Sequence, residues 1–591
     1  SRFEVAVKTG LTPLVGREHE LGLLRERWQE ARQGKGQVVL LSGEPGIGKS
    51  RLVQTLGQEA LTEGATRIEF RCSHYHRNSA FYPIIDHLHR FLGFQREEPA
   101  QSKLDKLTRM LAAYRFTESD TLPLLASLLS LPHPANAPPI TLSPQKQKEK
   151  TRAALVAWTI EEAEKAPVYY VWEDLHWADP SSLEGLPLLL DQVPATRLLA
   201  VFTFRPDFRP PWPPRSHITQ LMLTRLGRRE VEKMVGGVTG GKRLPVAVMQ
   251  EIVSKTDGVP LFVEELTRTV MESGVLREQD GHYELTSPRN GLAIPSSLND
   301  SLMARLDRLG AVKEVAQLAA TVGREFSYEL LEALAWLDAT ALKEALEKLV
   351  ESDILHQRGL LPQSRYIFRH ALIRDAAYQS LLRSTRKQYH KHIAQTLAER
   401  FPEIKETQPE LLAHHYTEAG LTEKAAGYWL RAGQQAVGRS AMTEACSQLQ
   451  KGLDLLTTLP DSPWRRQQEL ELQIALGRAL IATRGYSAPA VFETFARARA
   501  LAEQLDRPQY LVPLLHGQWA YHLIRSELRL ALSHAEQVKQ IGQARNDVAV
   551  QLLGHFLNGM IRFYLGEFVA ARAHFEHCDG LGDPAYRTVY A

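Results

Sequence analysis

Gly43, Gly48, Lys49 and Ser50 stand at the spacing G-x-x-x-x-G-K-S inside "VVLLSGEPGIGKSRLV", residues 38–53. Glycines at those places let successive backbone N–H groups turn inward around phosphate oxygens. Lys49 has the length to reach β- and γ-phosphates, and the Ser50 hydroxyl suits Mg²⁺. The apolar run "VVLL" reads as a buried parallel strand that delivers the chain into the turn. A helix from about Ser50 would aim its positive end at the anion. Glu44, Pro45, Gly46 and Ile47 complete the loop and Arg51 follows it, so residues 43–51 are the expected contact with ATP or ADP.

Such a loop needs a second, acidic strand to organise the metal and the attacking water. "APVYYVWEDLHWADPSSL", residues 166–183, supplies one: Val168 to Trp172 is apolar, and Glu173 and Asp174 follow at its end. One acid would hold Mg²⁺ through water and the other would orient or activate the nucleophile. Position favours Glu173 for the metal and Asp174 for the water, but the sequence leaves that order open, and an ordinary surface acidic pair is the competing reading. A further apolar run in "TRLLAVFTFRPD", residues 196–207, ends in Thr203 and Arg205. Arg205 at that strand tip would lie near a γ-phosphate and report its presence; a solvated arginine is the plainer alternative. The expected strands are therefore 38–42, 66–70, 168–172 and 198–204, separated by helical patterns. They predict an α/β P-loop NTPase with a doubly wound parallel sheet and its ligand at the carboxyl ends of the strands.

A chain of 591 residues is too long for one core, and three to five domains are expected. Lys plus Arg number 71 and Asp plus Glu 68, leaving +3, so no global pull toward nucleic acid or membrane exists. The three cysteines, Cys72, Cys446 and Cys578, have no metal-ligand spacing. Their scarcity, with no secretory leader, fits a reducing, cytoplasmic compartment. The most leucine-rich stretch, "LPLLASLLSLP" at 122–132, is too short to span a bilayer. The chain opens on Ser1 and stops at "DPAYRTVYA", which predicts a fragment with more chain at one end or the other.

Residues 72–165 form a long insertion between the second strand and the acidic strand, with helical stretches at 80–94, 103–114 and 146–165. "KQKEK" reads as a solvated helix face, and "RPDFRPPWPPRSH", 205–217, as a stiff loop. From 226 to 290 the pattern is short and helical. From 294 to 400 helices dominate, with a hairpin around "ILHQRGLLPQSRYIFRH"; helices followed by a two-stranded wing read as a winged helix. Its best basic segment, "RSTRKQYHKH" at 383–392, is no strong recognition helix, so direct nucleic-acid binding is not expected. Beyond 405 the sequence is almost all helix. "SELRLALSHAEQ" (526–537) and "GEFVAARAHFEH" (566–577) align at an offset of 40, as in an α-solenoid. Such arrays usually bind protein or peptide; a structural spacer is the alternative.

"LVGREHELGLLRERW", the phosphate loop, "WEDLHWADP", "TFRPD" and "TDGVPLFVEEL" together resemble a STAND-class P-loop ATPase of AAA/ORC-like type. The likeness extends to a bacterial group in which a class III adenylate/guanylate cyclase domain precedes this module and a tail of tetratricopeptide-like repeats. "CSHYHRNSAFYPIIDHL", "AIPSSLNDSLMARLDRLG" and "QPELLAHHYTEAG" carry that closer likeness. The resemblance implies a linker at 1–12, an ATPase domain at 13–225, a helical lid at 226–292, a winged helix at 293–403 and TPR-like repeats at 404–591. It implies that Val15, Gly16 and Arg17 wrap the adenine side through their backbone and that Pro260 packs on the base. Arg205 would sense the γ-phosphate, and His370 would touch the β-phosphate of ADP and hold the off state closed. His370 departs from the family pattern, since Ala371 and Leu372 follow it where related motifs end in aspartate. The implied function is a slowly hydrolysing switch that regulates an attached effector, a nucleotide cyclase above all; cyclase activity itself is not expected in this chain. A maltose-activator-type (LuxR-type) transcription regulator lacking its DNA-binding domain, and a non-hydrolysing scaffold, are the alternatives. No arginine finger from a neighbouring subunit is evident, and nucleotide-dependent oligomerisation is left open.

Overall fold

The computed structural model describes residues 14–95, 98–115, 120–135, 137–279, 281–286 and 297–581. The expected linker at 1–12, the boundary between 292 and 293 and the end of the last repeat lie outside the described residues. Five parallel strands form the first sheet: β1 (Gln37–Ser42), β2 (Thr66–Arg71), β3 (Val168–Glu173), β4 (Leu198–Phe204) and β5 (Ile218–Met222), in the order β2-β3-β4-β1-β5. Alternate side chains of a strand face opposite ways, and here both faces are covered. Val38, Leu40, Phe70, Tyr170, Trp172 and Phe202 pack with Trp158, Leu186 and Leu189 of helices Pro144–Lys165 and Leu186–Gln192. Val39, Leu41, Tyr169, Val171, Leu199 and Val201 pack with Leu24, Trp28, Leu52 and Leu56 of helices Glu18–Arg32 and Lys49–Thr62. That double covering is why the central strands are continuous apolar runs.

Four strands were expected, and β5 is a fifth. It is an edge strand on β1, and its side chains are half-buried or exposed, so "ITQLM" carries no apolar run to announce it. It is reached through the proline-rich stretch read as a loop. The insertion forms helices Tyr82–Phe91, Ala100–Leu111 and Thr121–Leu128. They do not close on the sheet alone. Leu104, Leu107 and Leu125 share one core with Leu430, Leu449 and Leu472 of the C-terminal helices. "KQKEK" is only partly solvated: Lys148 is buried and ion-paired with Glu184, a correction to the sequence reading.

Helices Arg228–Val238, Val246–Thr256 and Pro260–Glu272 build a separate small core on Val231, Val248, Ile252, Val263 and Leu266. The expectation of helix throughout 226–290 needs correction, because β6 (Leu276–Gln279) and β7 (His282–Leu285) form an antiparallel hairpin over its polar end. The next region sets helices around a three-stranded antiparallel sheet of order β8-β10-β9, from β8 (Glu325–Ser327), β9 (Leu355–Arg358) and β10 (Arg365–Phe368). Two strands were expected; β8 is only "EFS", too short and polar to signal itself. Its core continues into the first C-terminal helices through Leu412, Ala413, Tyr416 and Trp429.

From Pro409–Glu418 to Phe568–Leu581 each helix packs on the next. The helices opening at Leu528 and Phe568 keep the 40-residue offset, with Ala531 and Ala571 both buried. Small residues permit the close approach. Phe495 is gripped between Gly477 and Gly517, where an added Cβ on either glycine would collide with its ring. Among the described residues no helix is long and apolar enough to cross a membrane.

Candidate nucleotide-binding site

Parallel strands point their carboxyl ends to one edge of the sheet, and the glycine loop leaves β1 there. Gly46 and Gly48 take φ of +79° and +106°, conformations a side chain strains to adopt, and helix Lys49–Thr62 starts directly behind them. The next region rests on this loop. Leu261 N–H donates to the Gly46 carbonyl at 3.1 Å, and an added Cβ on Gly46 would stand 3.0 Å from that of Leu261. Pro260 opens helix Pro260–Glu272 at that contact. The turn before it needs Gly258, whose φ is +70° and whose added Cβ would strike the Leu226 carbonyl.

Lys49 is 8% exposed and donates to the carbonyls of Gly43 at 2.6 Å and Glu44 at 2.9 Å. Burial pulls its pKa down to about 8, against the opposing pull of Asp174, while Arg205 adds to the lowering. Asp174 follows β3 in the left-handed region at φ +57°. Its N–H donates to Thr203 Oγ1 at 3.0 Å, and Trp177 N–H donates to its carbonyl at 2.8 Å. Arg205 lies 5.6 Å from the Trp177 ring centre, within cation–π range.

These groups border a cavity of about 470 Å³, together with Val15, Arg17, Pro45, Gly46, Ile47, Gly48, Ser50, Arg51, Pro260 and His370. Gly16, Gly43 and Glu44 stand beside it. The Glu44 carboxylate faces outward to Arg225 at 3.1 Å. Arg17 is more than a backbone contact: its buried guanidinium donates to the carbonyls of Ile47 at 3.3 Å and Thr224 at 2.5 Å, bracing the phosphate loop. Glu173 borders a different, neighbouring cavity of about 270 Å³ with Arg71 and Arg365. His370 precedes helix Ala371–Gln379 and borders the nucleotide-sized cavity from the far side.

The sequence reading missed three arginines there. Arg324, Arg369 and Arg374 come from around β8 and β10, far along the chain and in no recognisable spacing. Arg369 bonds Glu264 at 3.2 Å and pairs with Asp353, tying this region to helix Pro260–Glu272. Arg324 Nη1 reaches Asp174 Oδ2 at 3.2 Å. Only recognition of both short strands could have placed them at the cavity.

Seven cations therefore border it, Arg17, Lys49, Arg51, Arg205, Arg324, Arg369 and Arg374, against the carboxylates Asp174, Glu264 and Asp375. A cavity of that charge, with glycine-freed N–H groups at one wall, suits a polyphosphate. The Ser50 hydroxyl and an acid at the end of β3 are hard oxygen donors of the kind Mg²⁺ takes alongside phosphate oxygens and water. Among the described residues no group of three or more His, Cys, Asp or Glu is arranged to hold a metal ion.

Comparison with known proteins bears on this site. Residues 13–201 match the family model described as "AAA ATPase domain". An uncharacterized protein of Rhizobium meliloti (strain 1021) is 27% identical over 567 residues, covering 94% of this chain and 53% of that protein. The chain thus spans about half the length of the curated relative it matches. Among solved structures, a Signal Transduction ATPase with Numerous Domains protein with a tetratricopeptide repeat sensor, from Pyrococcus horikoshii, aligns at 12% identity. It covers 97% of this chain and 83% of that one, with a TM-score of 0.38. The ORC1 protein of Aeropyrum pernix, solved in complex with DNA, aligns at 14% identity over 64% of this chain and 96% of its own, with a TM-score of 0.32. TM-scores of this size do not establish a shared fold. The family match, the parallel sheet and the glycine loop at its carboxyl edge place residues 13–201 in the P-loop ATPase class.

Proposed function

We propose that this chain is an ATP-operated signalling switch that binds ATP with Mg²⁺, hydrolyses it slowly and changes the arrangement of its regions as it does so. The observation that carries the reading is the composition of the cavity wall. The phosphate loop, helix Pro260–Glu272 and the region around His370, Arg324 and Arg369 all contribute, though hundreds of residues separate them. A ligand that bridges all three shifts their relative position only by as much as ATP and ADP bind each arrangement differently. The γ-phosphate is the group that distinguishes them, and Arg205, which borders the cavity, is assigned as the residue that answers it.

In hydrolysis, water attacks the γ-phosphorus, the bond to the β-phosphate oxygen breaks, and the proton of water passes to a base and then to the departing phosphate. Asp174 borders the cavity and is the assigned base; Lys49 and Arg205 neutralise charge developing on the phosphate oxygens. Ser50 and an acid at the end of β3 are the assigned holders of Mg²⁺, which would supply charge neutralisation when bound; the sequence reading favours Glu173 for that acid, whereas Asp174 is the one that borders the same cavity as Ser50. Pro260 and Val15 to Arg17 are assigned to the base and sugar end, and His370 to the β-phosphate. The region 293–403 is assigned as a winged helix acting as an internal clamp. The helical repeats would bind a protein or peptide. The output would be an attached effector, a nucleotide cyclase in the reading the sequence resemblance favours.

The test is direct. Nucleotide extracted from the purified chain should be ADP near one per chain, and phosphate release with Mg-ATP should be slow. Arg205→Ala should narrow the difference between ATP and ADP affinity. No bound nucleotide with fast, unregulated hydrolysis would refute the switch.

A further inference from the structure

We propose that Arg324 is a positioning residue that holds the ATPase at rest by occupying Asp174. The inference rests on the ATPase reading above and adds to it the group that restrains the base. Arg324 immediately precedes β8, and its carbonyl accepts the Phe368 N–H at 3.0 Å, so β10 fixes its backbone. Its guanidinium crosses from that region to the end of β3, where Nη1 donates to Asp174 Oδ2 at 3.2 Å across 150 residues of sequence. Both side chains are partly buried, at 22% and 28% exposure, so the pair is only partly screened by water.

The backbone of Asp174 is fixed: it is held by Thr203 Oγ1 on one side and by the Trp177 N–H on the other. To accept a proton from water, the carboxylate must present an oxygen lone pair toward the phosphate. A guanidinium bonded to Oδ2 competes with water for the same carboxylate oxygens. Arg324 also borders both cavities, so a displacement of its region relative to the sheet withdraws it from Asp174. The other cations of this wall have partners elsewhere: Arg369 is engaged by Glu264 and Asp353, and Arg374 by Asp375. The carboxylate partner of Arg324 lies at the end of β3, beside the phosphate loop.

The experiment compares the full chain with Arg324→Gln, Arg324→Lys, Asp174→Asn and the double variant Arg324→Gln/Asp174→Asn. Single-turnover phosphate release and ATP affinity are measured separately. Arg324→Gln should raise the release rate on the order of threefold to tenfold, the shift expected from removing one partly screened ion pair. ATP affinity is read beside the rate, so that any loss of binding from removing one cavity cation is kept apart from the change in the chemical step. Arg324→Lys should keep most of the restraint. The double variant should be as slow as Asp174→Asn alone, which a merely structural role of Arg324 would not produce. A fall in release rate for Arg324→Gln would mean that Arg324 assists the phosphate in cis and overturns the proposal; an unchanged rate overturns it too. If release by the parent chain is indifferent to Asp174→Asn, the underlying ATPase assignment has failed. If release depends on Asp174 but not on Arg324, the restraint alone has failed.

Discussion

Binding of a triphosphate should draw a proton onto Lys49. The amine is buried, and burial holds its pKa at about 8. Its bonds to the Gly43 and Glu44 carbonyls engage two of its three donors but supply no full negative charge. A phosphate placed against it restores the charged form through the whole accessible pH range. The sign follows: a depressed amine pKa leaves a neutral fraction that grows as pH rises through about 8, and binding must reverse it. Proton uptake should be about 0.1 per ligand at pH 7, about 0.5 at pH 8 and about 0.9 at pH 9. Affinity should fall about tenfold between pH 7 and pH 9, equal to about 1.4 kcal/mol. Titration calorimetry in buffers of different ionisation enthalpy measures the uptake directly. Phosphate groups lose their last proton near pH 6, so they offset about 0.1 proton at pH 7 and contribute little at pH 8 and above, where the Lys49 uptake is read. Lys49→Arg, which stays charged throughout, should show no uptake. Uptake below about 0.1 at pH 8 in the parent, or equal uptake in Lys49→Arg, would refute the reasoning.

Two further outcomes follow from buried polar groups away from the cavity. His390 and His415 meet at 2.8 Å between their Nδ1 atoms, with His414 and His76 close by; burial brings His390 down to about 3 and His414 and His76 to about 4. Their folded values lie below the free value, so the stability they lend is present above about pH 6.5 and is lost as pH falls toward 4. Each contributes a slope of up to about 1.4 kcal/mol per pH unit, and His390→Asn should remove one share of the acid sensitivity in melts between pH 7 and 5; an unchanged slope refutes this. Glu444, 1% exposed, accepts both the N–H and the hydroxyl of Ser181, at 2.7 and 2.8 Å. Glu444→Ala leaves two buried donors unpaired and should cost about 2 kcal/mol or more in urea unfolding, while Glu444→Gln should recover part of it; equal stability of all three would contradict the role given to these bonds.

What the sequence disclosed depended on whether a feature is local. The runs at β1, β3 and β4 are legible because each is buried on both faces, and the phosphate loop because its spacing alone builds the cradle. β5 and β8 are not, since an edge strand and a three-residue strand need little apolar content. The insertion showed amphipathic helices, but nothing in Leu104, Leu107 or Leu125 says that their partners are Leu430 and Leu449. Arg17 stands in a motif that points to its backbone, whereas its side chain braces the loop. Arg324 is invisible to any local rule, because its meaning lies in a carboxylate 150 residues earlier.

The stretch from Asp174 to Ser181 joins three parts of the molecule within eight residues. At its start Asp174 faces the nucleotide-sized cavity and meets Arg324. At its end Ser181 is bonded to Glu444 on helix Met442–Thr457, the third of the C-terminal helices. Between them Asp179, fully buried, accepts the N–H groups of Phe81 at 2.8 Å and Ser182 at 2.9 Å; burial first, and then Glu444, push its pKa up to about 8. A buried carboxyl whose Oδ1 is held by two fixed backbone donors tolerates little displacement, because every broken bond exposes a polar group to an apolar surrounding. The segment is also too short to absorb motion by bending. A shift of helix Met442–Thr457 therefore either breaks the bonds at Ser181 or carries the end of β3 with it. In the second case Asp174 moves relative to Arg324, whose backbone belongs to β8 and β10. Coupling from the C-terminal helices to the cavity then needs no long pathway, only these two contacts joined by a short turn.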